Sequence, residues 1–406
     1  MTTDIPRIER AARVDPVVVA SAASASASAS ASTTVAAPAS DPASDAAAAS
    51  SAASAPTAPA VATLEAVAAL AGVSKSTASR VINGSPRVTE QAITRVNAAI
   101  AQLHYVPNRA ARNLVRRRTQ MIAMVIPERT AAFFADPYFA EVIQGAAMYA
   151  STTDYTLTLL IESEADAEKT HRFLQSGSVD GALLLSHHSS SATYLDLSRS
   201  LPVVFGVRPV DDLEFEAHTV DVDNVAAAAI ATQHLIESGR TRIATITGPL
   251  AATAARDRLA GWRSTLEAAG LAGGSGSAGT SGSASEHALE LVEEGDYTPA
   301  SGAAAAERLL ARGVPFDGLF VASAQMASGA LSVLREHGIS VPNDVAISTI
   351  DNNSFSTDTK PQLTTVDLHT SEKGAEMVKA LLTLIAGEAV ERETWIPIEL
   401  VERGSA

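Results

Sequence analysis

The 406-residue chain has a formal net charge of −15 and no cysteine. That length asks for two or three domains, the lack of cysteine excludes disulfide frameworks and thiolate metal sites and suits a reducing cytoplasm, and no run reaches the roughly 18 apolar residues of a membrane helix. The charge is unevenly spread: residues 61–120 carry +7, with nine Lys/Arg against Glu65 and Glu90, residues 1–60 carry −2, and the remainder carries −20. A small basic module joined to a large acidic one implies a polyanion partner for the first and self-avoidance of DNA by the second.

Residues 1–60 are dominated by Ala, Ser, Pro and Thr, with nothing but Ser and Ala from Ser21 to Ser32. So few large apolar side chains cannot offset the entropy of ordering, and a disordered tail is expected. Arg7, Arg10 and Arg13 before Val17–Ala20 imitate a signal peptide. However, Asp4, Glu9 and Asp15 interrupt the basic part, and the apolar part dissolves into Ser and Ala. A mis-assigned translation start is the other origin for this segment; the next Met after Met1 is Met121, so it requires a non-Met start near Val61.

Within residues 61–107 the texture becomes helical. Leu64, Val67, Ala68 and Ala71 fall on one face, with Thr63 as N-cap and Gly72 as the stop. Ser74 caps a second helix running to about Asn83, with Ala78, Val81 and Ile82 inward. A third follows Thr89, carries Ile93, Val96, Ile100 and Leu103, and ends before Pro107. Three short helices with a tight turn between the first two make a helix-turn-helix unit. Its second helix exposes Lys75, Ser76, Ser79, Arg80 and Asn83, a face sized for a major groove, where Arg can donate two hydrogen bonds to a guanine edge. Thr63, Ser74, Thr77 and Arg87 complete the candidate DNA contacts, since hydroxyls and helix N-termini suit phosphates. The other reading of this face is a solvated side of a small bundle; the basic excess and the turn spacing together favour DNA.

The next segment, YVPNRAARNL, places Asn108 as cap of a helix too short to be stable alone. Residues 108–118 are therefore either a hinge helix that folds only when held or an ordinary basic linker. Arg116–Arg118 add phosphate contacts under both readings.

Beyond Thr119, short apolar strands alternate with helices: Met121–Pro127, Tyr155–Ile161, Gly181–Leu185, Val203–Val207, Thr219–Val222, Arg242–Thr247, Gly318–Ala322 and Val345–Ile350. Runs apolar on both faces indicate parallel sheets covered on both sides, so the class is α/β, and two sheets fit better than one. Gly273–Ser285 reads as a flexible surface loop. The phosphate-loop, zincin and nucleophile-elbow patterns are absent. His187 and His188 beside Ser189–Ser191 read as a loop rather than a nucleophile with its base. No catalysis, cofactor or metal is expected.

The stretch VAALAGVSKSTASRVING followed by HYVPNRAARNL resembles the LacI/GalR family of regulators. Weaker echoes follow in family order: DPYFAEVIQGA, VDGALLLS, VDVDN, RDRLAGW, QMASGAL, and VPNDVAISTIDN before LTTVD, out to Arg403. The resemblance implies a helix-turn-helix three-helix head and, over residues 119–406, a two-lobed sensor like a periplasmic binding protein. It implies a cytoplasmic, nucleoid-associated homodimeric repressor that binds a palindromic double-stranded DNA operator under control of a small effector, a sugar. It implies that the hinge helix, through Asn108, Arg109, Ala111 and Leu114, enters the minor groove, where Leu114 is the wedge. It also implies effector contacts from Arg258, Asp351, Tyr297, Tyr138, Phe139 and Ser323. Such a set makes chemical sense, because a sugar site needs planar donors and carboxylates for hydroxyls and an aromatic ring for the C–H face. The alternatives are core packing for the aromatics and a surface ion pair for Arg258. Two departures stand out: Ser323-Ala324 where many relatives have Asn-Asp, and Val207-Arg208 where many have an Asp. Inducer and corepressor responses are both open. The rival function is a solute-binding protein of the periplasmic type, which would need export and no DNA head.

Overall fold

The computed structural model describes residues 62–106, 118–127, 130–161, 167–185, 197–208, 217–271 and 291–406. The Ala/Ser tail, hinge residues Asn108, Arg109, Ala111 and Leu114, the His187–Ser191 segment and Gly273–Ser285 lie outside the described residues.

The head is built from α1 (Leu64–Ala71), α2 (Lys75–Ile82) and α3 (Glu90–Leu103). Each begins where a hydroxyl can take up an unpaired amide: Thr63 accepts from Ala66 N at 3.2 Å, Ser74 from Thr77 N at 3.1 Å and Thr89 from Ala92 N at 3.3 Å. Each such cap stabilises a short helix by about 1 kcal/mol. Gly72 ends α1 in the left-handed region at φ 63°. Val67 and Val96 are fully buried, ringed by Ala68, Ala71, Ala78 and Ala99, whose small side chains let the three helices approach closely.

The remainder forms two lobes, each a six-stranded sheet with helices on its faces. Lobe 1 contains β1 (Met121–Ile126), β2 (Thr156–Ile161), β3 (Gly181–Leu184), β4 (Val203–Phe205), β5 (His218–Val222) and β11 (Glu393–Ile396), in the order β2-β1-β3-β4-β5-β11, all parallel. Its helices are α4 (Thr130–Ala135), α5 (Pro137–Ser151), α6 (Ala167–Gln175) and α12 (Thr370–Ala386). Lobe 2 contains β6 (Ile243–Thr247), β7 (Val292–Glu294), β8 (Gly318–Val321), β9 (Ala346–Ile350), β10 (Thr364–Asp367) and β12 (Glu399–Val401), in the matching order β7-β6-β8-β9-β10-β12, parallel except for β10–β12. Its helices are α7 (Asn224–Glu237), α8 (Thr253–Ala268), α9 (Pro299–Ala311), α10 (Ala324–Glu336) and the single turn α11 (Ser354–Thr357).

The eight predicted strands all form, and the two-sheet α/β class holds. The strands β7, β10, β11 and β12, which the apolar runs did not announce, have three or four residues each and mixed sequences (VEE, TTVD, ETWI, ELV). Their short length and polar content erase the apolar signal of a buried parallel strand. Among the described residues the chain passes between lobes three times, at Val222–Asn224, Asp367–Thr370 and Ile396–Glu399. Among the described residues no helix is long and apolar enough to cross a membrane.

Candidate functional site

The first site is the exposed side of α2. Ser76, Arg80 and Asn83 are exposed, as is Arg87 in the following turn. Ser79 is half-buried and receives the Asn83 amide at 3.3 Å. Ser74 shares its cap oxygen with the Ser76 and Thr77 hydroxyls at 2.9 and 2.8 Å, so a polar cluster surrounds the α2 N-terminus, where unpaired amides favour an anion. Lys75 is paired with Glu65 of α1, and the bond from Lys75 holds the Glu65 carboxyl below its usual range. That pair ties α1 to α2 and orients the lysine at the edge of the reading face.

The second site is the cleft between the lobes, which lies off the C-terminal ends of the parallel strands, as expected for open α/β sheets. Arg258, in the second turn of α8, is buried. Its Nε donates to Asn224 Oδ1 at 2.9 Å and its Nη1 to the Ala322 carbonyl at the end of β8 at 2.5 Å. Both acceptors are neutral, so the positive charge of Arg258 is not cancelled by its hydrogen-bond partners. It instead acts on Tyr297 and Asp351. Burial pushes the Tyr297 phenol and the Asp351 carboxyl up, and Arg258 pulls both back in part. The Ala324 amide at the start of α10 also favours ionised Asp351.

Tyr297 and Asp351 sit at φ 67° and 80°. Non-glycine residues held there cost about 1–3 kcal/mol each and cluster at functional sites. The Tyr297 ring lies against Gly248, where an added Cβ would stand 2.2 Å from it. Ser323 is buried and caps α10 by accepting from Met326 N at 3.3 Å.

The lobe 1 wall is organised around Lys373 of α12. Its Nζ donates to Asp221 Oδ1 at 3.1 Å, both side chains being 4% exposed, and stands 5.7 Å from the centre of the Tyr138 ring. Burial alone would lower the lysine, but Asp221 and Tyr138 outweigh it and the net direction is up. Phe139 is buried against Phe133 and Tyr138, with ring centroids 5.5 and 5.4 Å away.

Glu141 of α5 is raised to about 7, first by burial and then by the charges of Asp351, Asp367 and Asp136, with Thr370 acting in the opposite sense. It draws lobe 1 and lobe 2 groups into one acidic patch. Across the cleft Arg208, after β4, pairs with Asp257 of α8, donates its amide to Asp221 Oδ2 at 3.2 Å and lies 5.5 Å over the Trp395 ring. The arginine of the sequence departure is thus a link between the lobes. Among the described residues no group of three or more His, Cys, Asp or Glu is placed to hold a metal ion.

The cleft brings together Arg258, Tyr297, Asp351 and Tyr138 from the expected set. It adds Asn224, Asp221, Lys373, Glu141 and Asp367. The VDVDN segment carried a signal for Asp221 and Asn224; Lys373, within TSEKGAEM, carried none.

The model for bacterial regulatory proteins of the lacI family matches residues 63–108, and the model for a periplasmic binding protein-like domain matches residues 232–406. The HTH-type transcriptional regulator CelR of Thermobifida fusca is 40% identical over 341 residues, 84% of this chain and 95% of that protein. The ribose operon repressor of Escherichia coli (strain K12) is 32% identical over 354 residues, 85% of this chain and all of that protein. A solved structure of a transcriptional regulator CelR–cellobiose complex superimposes with a TM-score of 0.64 at 37% identity, covering 85% of this chain and 99% of that one. These relatives are regulators rather than enzymes, and the match through the DNA head sets the solute-carrier reading aside. The chain belongs to the lacI family of bacterial regulatory proteins and is a DNA-binding transcriptional regulator.

Proposed function

We propose that a homodimer of this protein presents two α1–α3 heads to a palindromic operator and represses transcription under control of a sugar bound between the lobes. In this reading Arg80, Lys75, Ser76, Ser79 and Asn83 face base edges, and Thr63, Ser74, Thr77 and Arg87 hold phosphates. Asn108, Arg109, Ala111 and Leu114 belong to a hinge that enters the minor groove, Leu114 being the wedge. Regulation takes place in the cytoplasm, at the nucleoid, without a membrane partner.

The observation that carries the effector assignment is buried Arg258, braced by Asn224 and the Ala322 carbonyl beside Tyr297 and Asp351. A fixed guanidinium and a carboxylate match neighbouring hydroxyls, and the Tyr297 and Tyr138 rings suit a sugar's C–H face. Phe139, packed against the Tyr138 ring, and Ser323, at the start of α10, complete the expected set. The cellobiose bound by the related regulator is of the same chemical class.

The test is selection of genomic fragments on the purified full-length protein at moderate salt, with and without pooled mono- and disaccharides. A palindromic site gained or lost with one pool is the expected result. Retention without a motif, unaffected by every pool, would overturn the sugar-controlled operator.

A further inference from the structure

The two lobes repeat one small device at the start of their first strand. In lobe 1, Asp180, just before β3, accepts Thr119 N at 2.7 Å, Thr119 Oγ1 at 2.8 Å and Gln120 N at 2.9 Å, all immediately before β1. In lobe 2, Asp317, just before β8, accepts Thr241 N at 3.1 Å, Thr241 Oγ1 at 3.2 Å and Arg242 N at 2.8 Å, immediately before β6. Each aspartate amide also bonds back to the neighbouring strand, Asp180 N to Met121 O at 2.8 Å, two residues after Thr119, and Asp317 N to Arg242 O at 2.9 Å, one residue after Thr241. Two Asp-Gly pairs and two Thr-X pairs thus make the same side-chain staple in equivalent sheets, with one more residue between threonine and strand in lobe 1.

What enters the staple differs. In lobe 2 the chain arrives from α7 of the same lobe, whereas in lobe 1 it arrives from the DNA head. Both staples are extended by the arginine that precedes the threonine, but to different places: in lobe 2 Arg240 donates to the Pro342 and Asn343 carbonyls at 2.7 and 3.3 Å, before β9 and away from the cleft. Gln120 takes φ 54°, a left-handed turn that sets the chain's direction. Arg118 Nη2 donates to the Ile385 carbonyl in the last turn of α12 at 2.9 Å, where an aligned helix leaves its carbonyls partly negative. The Tyr155 hydroxyl is buried beside Asp180 and Arg118, which both act on it.

The other end of α12 lines the cleft, with Thr370 beside Glu141 and Lys373 on Asp221. Its 17 residues span about 25 Å. A rigid helix therefore joins the cleft wall to the residue next to the hinge.

We infer that Asp180 and Arg118 are positioning residues: they fix the direction in which the chain leaves lobe 1 for the DNA head, with α12 carrying movement of the cleft wall to that anchor. The inference rests on the protein's role as a DNA-binding regulator and not on the identity of the effector. Asp180 touches no DNA in this scheme, and its neutralisation would strengthen binding to a polyanion if charge alone mattered. A fall in operator affinity on removing that charge would therefore have the sign of lost positioning.

The lobe 2 staple is the internal control. Full-length Asp180→Asn and Asp317→Asn, and the milder pair Thr119→Val and Thr241→Val, remove matched bonds. Each is measured for thermal midpoint, for affinity to the operator duplex that the wild-type chain selects, and for affinity to a scrambled duplex. All four are expected to lower the thermal midpoint. Only the two lobe 1 variants should weaken operator binding, by about tenfold, as follows when the correctly oriented fraction of heads falls to about a tenth. Scrambled-duplex affinity should stay unchanged. Equal operator affinity for the lobe 1 and lobe 2 partners of a pair would overturn the assignment. If Asp180→Asn does not fold, the threonine pair decides by the same criterion.

Discussion

The two walls of the cleft each bury one cation, and they treat it in opposite ways. On lobe 1 Lys373 meets the carboxylate of Asp221, so the pair is locally neutral and closed on itself. On lobe 2 Arg258 gives its hydrogen bonds to an amide oxygen and a backbone carbonyl, which hold its geometry without cancelling its charge. A cation in direct contact with a carboxylate is tied to that partner, while one held by neutral acceptors keeps its charge directed into the cleft towards Asp351 and Tyr297. The contrast predicts that the Lys373 pair weighs most on stability and Arg258 most on ligand binding.

The largest effect should come from breaking the compensated pair. Lys373→Met leaves Asp221 buried without its cation, and removing one partner of a buried ion pair costs about 3–5 kcal/mol. Chemical denaturation should show that loss, and Lys373→Met/Asp221→Asn should recover most of it. A single variant as stable as wild type would mean that Asp221 needs no cation, and the contrast between walls would fail.

Arg258→Lys should have the next largest effect, read as ligand binding. A lysine keeps the charge but cannot direct a planar fork at Asn224 and Ala322 together. Loss of a charged hydrogen bond of about 1.5–3 kcal/mol corresponds to roughly ten- to hundredfold weaker binding. Calorimetric titration with the sugar that alters fragment selection would measure it. Unchanged affinity would move recognition away from this wall.

The sequence disclosed the head better than it disclosed this contrast. Caps at Thr63, Ser74 and Thr89, the Gly72 stop and the inward positions Val67 and Val96 are local signals, each complete within a few residues. Arg258, Tyr297, Asp351 and Tyr138 came through family resemblance, and the structure gathers them from four separate elements. Lys373 and Asp221 are 152 residues apart. Lys373 sits in a polar helical stretch that reads as a solvated face, and only the chain's return to lobe 1 after β10 buries it. Phe139 and Ser323 were legible as family positions, but the aromatic packing of one and the helix cap made by the other are not visible in one-dimensional pattern.

Glu141 supplies a smaller test, since a half-buried carboxyl is partly screened by solvent. Its usual value of 4.5 is raised to about 7 in the folded protein by burial and by Asp351, Asp367 and Asp136. The folded state therefore binds more protons than the unfolded state between these values, and stability falls as pH rises from about 4.5 to about 7. Glu141→Gln should flatten that slope in denaturation curves taken across the window. A slope equal to wild type would show that the acidic patch does not load Glu141.

The smallest change in stability, under about 1 kcal/mol, is expected where the walls touch, at the partly exposed Arg208–Asp257 pair. Burial raises the Asp257 carboxyl and Arg208 partly offsets this, so Asp257→Asn removes a charge that is already costly to keep. Its value to the protein lies elsewhere. The pair spans the lobes, so losing it should favour opening and weaken sugar binding a few-fold while leaving the melting transition nearly in place. A pair that served packing alone would shift melting and leave binding unchanged. That outcome would place Arg208, held also by Trp395 and Asp221, with the Lys373 wall as part of the lobe 1 framework.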